Sequence, residues 1–238
     1  MTLYWLGTEE ATDFPPVRQA LRDPNGLLAA GGDLSPRRLL SGYQTGVFPW
    51  YSAGQPILWW SPDPRTVLIP VRFHVSRSLR KSIRRHAWQV TVNTAFEAVV
   101  IGCAEPRASE SETWITEDMR QAYCRLHELG WAHSVEIWIG DDLVGGIYGV
   151  AIDRLFCGES MFMRRTNASK VALFALCRLL SEAGFGMLDC QMHTPHLESL
   201  GAEEIPRDKY LDGLREYASD LKVWRPAQTS IAAADLLD

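Results

Sequence analysis

The pattern of hydrophobic and polar positions divides the chain into an irregular first quarter and a regular remainder. The first sixty or so residues are dense in Pro, Gly and Trp and are predicted to be mostly loop. One helix stands out there: Ser35 is a good N-cap, Tyr43 falls on its apolar face, and Gly46 ends it. This contrast predicts a small N-terminal domain over residues 1–63 and a second domain over residues 64–238.

The second part alternates between helical and extended periodicity. Ser76 and Thr116 are suitable N-caps, and Gly130 and Gly184 are suitable stops. A three-strand meander, a long helix and another strand is the layout of an acetyltransferase-like domain. We therefore predict an α+β protein, with the small N-terminal domain followed by a GNAT-type mixed sheet flanked by helices. The predicted elements are helix 76–86, strand 88–92, helices 94–103 and 116–129, strands 133–139, 143–152 and 155–162, helix 168–183, strand 187–192, and helices 195–200 and 207–219.

Composition narrows the class of protein without naming a function. Hydrophobic residues make up 46% and charged residues 22% of 238 residues, which is ordinary for a globular protein and excludes wholesale disorder. There is no run of 18 apolar residues and no basic, apolar leader, so we expect a cytoplasmic protein. Five cysteines without a C-x-x-C spacing suit free thiols in a reducing compartment.

Charge is distributed unevenly along the chain. The formal net charge is −5, yet residues 64–96 contain no Asp or Glu. Either this segment forms a solvated helix face, or it is a docking patch for a polyanion. Its basic residues are Arg65, Arg72, Arg77, Arg80, Lys81, Arg84 and Arg85.

Two predicted strands carry polar residues that are costly to bury unless they have partners. Alternation places Asp189 and Gln191 on one face of strand 187–192, and Glu159 is a lone carboxylate in an apolar strand. Satisfied core groups and a catalytic site both fit this pattern. Gly145-Gly146 predicts a bulge or a close backbone approach, which is weak support for a ligand across the sheet.

Taken in order along the chain, these features resemble the leucyl/phenylalanyl-tRNA–protein transferases. The similarity spans about residues 20 to 225. The runs that carry it are Asn25–Leu34, Gly46–Ser52, Ile57–Arg65, Thr113–Thr116, Val144–Val150, Leu155–Phe162, Asn167–Lys170, Asp189–Gln191, His196–Ala202 and Ile205–Arg207.

The resemblance implies transfer of Leu or Phe, and less readily Met, from aminoacyl-tRNA to proteins that begin with Arg or Lys. The added residue marks the acceptor for N-degron degradation, and no metal or organic cofactor is implied. By the same resemblance Asp189 and Gln191 relay the proton of the attacking amine, and Glu159 holds the substrate amino group. Whether Asp189 is itself the base or orients Gln191 stays open.

Further residues follow from the family and from the charge pattern. The resemblance places the terminal adenosine of the tRNA against Trp50 and Trp114, and the aminoacyl side chain near Ile147, Phe156 and Leu188. The basic segment then contacts phosphates of the acceptor stem. The residues expected to do so are Arg77, Arg80, Lys81, Arg84 and Arg85.

Two other functions remain as alternatives. A Fem-type ligase would attach aminoacyl groups to peptidoglycan precursors, but it favours two tandem domains, for which 238 residues leave little room. A tRNA-sequestering protein without catalysis would keep its function when Asp189 is changed to Asn.

Overall fold

A computed structural model gives the architecture of the chain. It describes residues 3–8, 13–105, 113–227 and 230–237. Within these ranges helices and strands both contribute substantially, so the predicted α+β class is confirmed. In the same ranges every helix is too short or too polar to cross a bilayer.

The helices begin where the predicted caps lie. The Ser35, Ser76 and Thr116 side chains each accept a hydrogen bond from a backbone N–H in the first turn, and Gly46 ends the first helix with a φ of 82°. Glycine has no side chain to oppose that conformation. The helices are α1 (Pro36–Thr45), α2 (Arg77–Arg85), α3 (Phe96–Ala104), α4 (Glu117–Glu128), α5 (Ala168–Glu182), α6 (Pro195–Glu198) and α7 (Arg207–Tyr217).

The strands form two sheets. The described strands are β1 (Tyr4–Leu6), β2 (Leu27–Gly31), β3 (Phe48–Pro49), β4 (Leu58–Trp60), β5 (Arg65–Leu68), β6 (Gln89–Val92), β7 (Ala132–Ile139), β8 (Asp142–Ile152), β9 (Leu155–Met163), β10 (Met187–Gln191), β11 (Glu203–Ile205) and β12 (Ser230–Ala232).

The larger sheet contains the predicted meander. Its order is β11-β5-β10-β9-β8-β7-β6-β12. Strands β7, β8 and β9 are antiparallel neighbours, and β10 returns beside β9 in parallel after helix α5. This is the mixed sheet flanked by helices that the sequence predicted.

The N-terminal segment is more regular than expected. Loop still makes up most of it, as predicted, but β1, β2, β4 and β3 form a small sheet in that order, which the sequence prediction did not include. Those strands are two to five residues long, too short to show alternation. The small sheet ends at Trp60 and the large one begins at Arg65, which is where the sequence puts the domain boundary; that boundary stays a prediction.

Two apolar layers cover the faces of the large sheet. The first joins residues of α1, α3, α4 and α7 with the N-terminal sheet, and it includes the fully buried Trp59. The second lies mostly under α5. Because α1 and the small sheet pack into the first layer, the two parts of the chain share a core.

Gly145 and Gly146 serve packing. A Cβ on Gly145 would lie 2.6 Å from the Cβ of Ala168, and one on Gly146 would lie 3.0 Å from a methyl of Val99. Helices α5 and α3 therefore fill the space beside these glycines, and the expected ligand across the sheet is not supported.

Candidate active site

The candidate site lies where β9 and β10 stop pairing. Their last paired residues are Cys157 and Asp189. Just beyond these residues each strand changes register against its other neighbour, at Glu159 in β9 and at Cys190 in β10. Bulges of this kind re-aim side chains and are common beside active sites. The sequence prediction that Glu159, Asp189 and Gln191 come together is consistent with this geometry.

Asp189 is completely buried and fully occupied. Arg65 donates from Nε to Oδ1 at 2.8 Å and from Nη2 to Oδ2 at 2.7 Å, and the Tyr210 hydroxyl donates to Oδ2 at 2.7 Å. The backbone N–H of Gln191 donates to Oδ1 at 2.9 Å. Burial alone lowers the pKa of Arg65, but the Asp189 carboxylate outweighs it and the pKa is raised. The two side chains form a buried ion pair.

Arg65 is thus not part of a surface patch. Its exposed fraction is 1%, and besides Asp189 it contacts the carbonyl oxygen of Gly46 at 3.3 Å and lies over the rings of Phe48 and Tyr210. Arg65 belongs to the basic segment by sequence, but strand β5 turns its side chain into the core, whereas the five predicted tRNA contacts lie further along the chain. Nothing in the local sequence indicates that Arg65 is buried, because its carboxylate partner lies 124 positions away along the chain.

Glu159 is held differently, by neutral donors at the partly open end of β9. Tyr43 donates to Oε1 at 2.8 Å, Tyr123 donates to Oε2 at 2.6 Å, and the Gln191 side-chain amide donates to Oε1 at 3.2 Å. Burial raises the pKa of Glu159 to about 7, helped by Asp189 and opposed by the hydrogen bonds from Tyr123 and Tyr43. A carboxyl group that titrates near neutral pH is suited to acid–base chemistry.

Gln191 connects the two carboxylates. Its backbone bonds to Asp189 and its side chain to Glu159. It has a φ of 64°, a left-handed conformation that is uncommon and costly for a residue other than glycine. The hydrogen bonds on both sides hold this strained residue at the mouth of the site.

The two tryptophans predicted to bind adenosine lie on neighbouring segments. Trp50 is 37% exposed and contacts Trp60 edge-on, with ring centroids 5.5 Å apart. Trp114 is partly buried before α4. The adjacent Tyr51 hydroxyl and Thr116 Oγ1 lie 3.4 Å apart and join the two segments.

The three predicted aminoacyl-pocket residues lie on the other face of the sheet. Ile147, Phe156 and Leu188 are each 5% exposed or less and belong to the layer under α5. Alternation explains the separation, because Leu188 and Asp189 are consecutive on β10 and point to opposite faces.

The five predicted tRNA contacts come from one helix. They line a concave surface on α2 that encloses a volume of about 420 Å³. Within the described residues, none of the five side chains is in an ion pair. Only Leu79 and Ile83 of this helix are buried. The surface consists of Arg77, Arg80, Lys81, Arg84 and Arg85.

Sequence reasoning missed Tyr43, Tyr123 and Tyr210 as site residues. Tyr43 was placed on the apolar face of α1, so its burial was predicted but the partner of its hydroxyl was not. The described side chains also include no group of three or more His, Cys, Asp or Glu placed to hold a metal ion.

The family comparisons define a transferase. The model of the family described as leucyl/phenylalanyl-tRNA protein transferase matches residues 67–215, and that of its N-terminal domain matches residues 32–63. A leucyl/phenylalanyl-tRNA–protein transferase of Aromatoleum aromaticum is 58% identical over 87% of this chain and 88% of its own length. One of Tolumonas auensis is 52% identical over 95% and 98%. The chain therefore belongs to the leucyl/phenylalanyl-tRNA–protein transferase family.

Solved structures are similar at much lower sequence identity. L-PGS from Bacillus licheniformis matches with a TM-score of 0.41 and 9% identity, over 69% of this chain and 53% of that one. A GCN5-related N-acetyltransferase from Kribbella flavida matches with a TM-score of 0.37 and 14% identity, over 71% and 60%.

Proposed function

We propose that this protein transfers Leu or Phe, and less readily Met, from aminoacyl-tRNA to the α-amine of proteins that begin with Arg or Lys. The product would enter the N-degron pathway of the cytoplasm. One observation carries the proposal: in a member of this family, Glu159 and Gln191 meet at the open ends of β9 and β10, with a carboxyl group that titrates near neutral pH.

The chemistry suits a site with few catalytic groups. The donor ester is already activated, and an α-amine with a pKa of about 7.7–8.0 is about 10% neutral at pH 7. A lysine ε-amine near 10.4 is only about 0.04% neutral, so acidity alone favours the N-terminus. Alignment can then supply roughly 7–11 kcal/mol of the barrier reduction. The site needs to position two substrates and accept one proton.

Within this proposal the three polar residues have separate roles. Glu159 and Gln191 contact the reacting amino groups. Asp189 acts as a positioning residue, because its oxygens are occupied by Arg65, Tyr210 and the Gln191 backbone. Its role is to fix Gln191 in the conformation that reaches Glu159.

The surrounding residues would hold the tRNA. Trp50 and Trp114 would stack on the terminal adenosine, since stacking on aromatic rings is a common way to hold an unpaired base. The Leu or Phe side chain would pass between β9 and β10, beyond their last paired residues, into the apolar layer on the other face that contains Ile147, Phe156 and Leu188. The concave basic surface of α2 would contact acceptor-stem phosphates without reading bases.

The deciding experiment measures labelled leucine transferred from Leu-tRNA to two peptides that differ only in an N-terminal Arg or Glu. We expect label on the Arg peptide alone. Label on neither peptide, despite measurable Leu-tRNA binding, would favour a sequestering protein or a non-protein acceptor.

The best inactive control is Gln191→Gly. Glycine accepts the left-handed conformation without strain, so the fold should be retained while the amide is lost. Because the variant lacks the Gln191 side-chain amide, an orienting group in the proposed mechanism, we expect the rate of transfer to fall by about tenfold or more. Leu-tRNA binding should be unchanged; full transfer by this variant would remove Gln191 from the mechanism.

A further inference from the structure

We propose that Glu159, Tyr43 and Tyr123 form a single proton-holding unit, in which Glu159 accepts the proton that the attacking amine loses and the two tyrosines position it to do so. This inference rests on the proposed aminoacyl transfer and names the group that takes the proton. It assigns Tyr43 and Tyr123 as positioning residues.

The geometry is a closed ring of hydrogen-bonding oxygens. Tyr43 lies 2.8 Å from Oε1 of Glu159, Tyr123 lies 2.6 Å from Oε2, and the two hydroxyl oxygens lie 2.7 Å from each other. All three contacts are within ordinary O–H···O distance. Burial, followed by the nearby Glu159, raises the pKa of both tyrosines well above the ordinary value, so each hydroxyl keeps its proton.

Counting protons shows why this ring suits a group that gains and loses one. With Glu159 ionised, both hydroxyls donate to the carboxylate, and no proton lies between the two phenol oxygens. With Glu159 protonated, three protons serve three contacts, because Glu159 donates to Tyr43, Tyr43 to Tyr123, and Tyr123 back to Glu159. Rotation of the hydroxyl groups converts one hydrogen-bonding arrangement into the other.

The other titratable groups that face Glu159 do not compete for this role. Both oxygens of Asp189 are already engaged by Arg65, Tyr210 and the backbone N–H of Gln191. Tyr148 on β8 and Cys157 on β9 are buried, and burial followed by neighbouring acidic groups raises their pKa values well above the ordinary ones. Among these described neighbours, Glu159 is the group whose pKa lies near 7.

The proton balance of the reaction closes through this unit. The amine nitrogen forms a bond to the ester carbonyl carbon, and the bond from that carbon to the ribose oxygen of the tRNA breaks. The nitrogen gives up one proton to the Glu159 carboxylate. Glu159 then gives one proton to the departing ribose oxygen and returns to its ionised form, so no further reactant is required.

The test is the pH dependence of single-turnover leucine transfer between about pH 5.5 and 8.5 for Tyr43→Phe and Tyr123→Phe. Removing a donor to the carboxylate raises the pKa of Glu159, so the acid limb should move up by about one unit. We expect about a tenfold lower rate near pH 6.5 and a rate within about twofold of the unchanged protein near pH 8.5. Titration of the peptide amine is common to all variants and does not produce this difference.

Tyr148→Phe is the matched control. Its hydroxyl is buried without a hydrogen-bond partner among the described residues, and its ring contacts Tyr123 edge-on at 5.4 Å. Losing that hydroxyl should leave the acid limb in place. Tyr43→Phe or Tyr123→Phe rates lowered equally at every pH, or not lowered at all, would overturn the proposal.

A second measurement needs no turnover and no tyrosine variant. The carbon-13 shift of the Glu159 carboxyl, assigned by its loss in Glu159→Gln, should titrate with a midpoint near 7. A midpoint below about 5 would overturn the proposal, because Glu159 would then be an ordinary surface-like carboxylate. Failure of the proposed function is separate, since it appears as absence of transfer by the unchanged protein.

Discussion

Single residues at this site show how environment gives two neighbouring carboxylates different chemistry. Asp189 faces a guanidinium in a buried ion pair, whereas Glu159 faces phenols and an amide, and burial raises its pKa to about 7. The difference arises because β5 places an arginine beside Asp189, whereas α1 and α4 place tyrosines beside Glu159. Each has a measurable consequence for stability.

The Arg65–Asp189 pair predicts a strongly asymmetric effect of substitution. Changing Asp189 to Asn leaves Arg65 buried without its counter-charge, which should lower the free energy of unfolding by about 3–5 kcal/mol. Changing both, as Arg65→Met with Asp189→Leu, should cost less than the sum of the single changes. Urea unfolding measures both.

The exposed pair Arg125–Glu128 provides the comparison, with exposed side-chain fractions of 58% and 62%. Arg125→Ala should change stability little, because solvent screens such pairs. A small effect of Asp189→Asn, similar to that of Arg125→Ala, would contradict the buried ion pair.

A second prediction concerns the pH dependence of stability, to which two buried groups contribute with opposite sign. Burial lowers the pKa of His133 to about 4, so its contribution is present above pH 6.5 and is lost as the pH falls towards 4. Burial raises the pKa of Glu159 to about 7, so its contribution is present below pH 4.5 and is lost as the pH rises towards 7.

These two slopes should largely cancel between about pH 4.5 and 6.5. In Glu159→Gln only His133 titrates in this window, so the free energy of unfolding should decrease as the pH is lowered. In His133→Gln only Glu159 titrates, so the free energy of unfolding should increase as the pH is lowered. Urea unfolding at several pH values would show this. Parallel profiles for the two variants would mean that one of the groups titrates normally.

At the scale of elements, N-caps and hydrophobic periodicity predicted most of the helices. The strands that the sequence did not predict are short, and their residues show no alternation. Helices α1, α2 and α4 begin directly after the predicted N-caps Ser35, Ser76 and Thr116. Strand β5 was missed because all four of its residues are buried, including an arginine, so it shows no alternation. The candidate carboxylates were found because they interrupt apolar strands, but their partners lie in distant segments.

Helix α2 carries a prediction about tRNA binding. Reversing two charges by Arg80→Glu with Arg84→Glu should weaken aminoacyl-tRNA binding and flatten its dependence on salt, because fewer phosphate counterions are released. Binding measured at several salt concentrations tests this. Arg125→Glu on α4 is the control and should leave the salt slope unchanged; an unchanged slope in the α2 variant would place the tRNA elsewhere.

At the scale of the whole molecule, the C-terminal tail completes the large sheet. Strand β12 pairs with β6, and the following 3₁₀ turn, Ala233–Leu237, packs against α2. This tail could not be assigned from the sequence, because a three-residue strand leaves no periodic signal. The tail therefore supports the helix that is proposed to bind tRNA.

Leu236→Ala tests this support. Leu236 is 6% exposed, so its truncation should lower the free energy of unfolding by about 2–4 kcal/mol. Leu221→Ala, at a site that is 55% exposed, should have little effect. Thermal or urea unfolding of the two variants would distinguish them, and equal effects would mean that the tail does not pack as described.

The tyrosines that donate hydrogen bonds to Glu159 come from distant parts of the chain, and this affects how the enzyme can be split into two fragments. Tyr43 comes from α1 in the first quarter of the chain, whereas Tyr123 and Glu159 come from the remainder, and Arg65 reaches back to Gly46. A fragment starting near residue 64 would contain both strands of the site yet lack one phenol donor. Two fragments divided in the exposed turn at residues 52–55 should each be inactive, and mixing them should restore transfer only on reassembly. The protein is thus a natural starting point for a split reporter whose signal is peptide-bond formation.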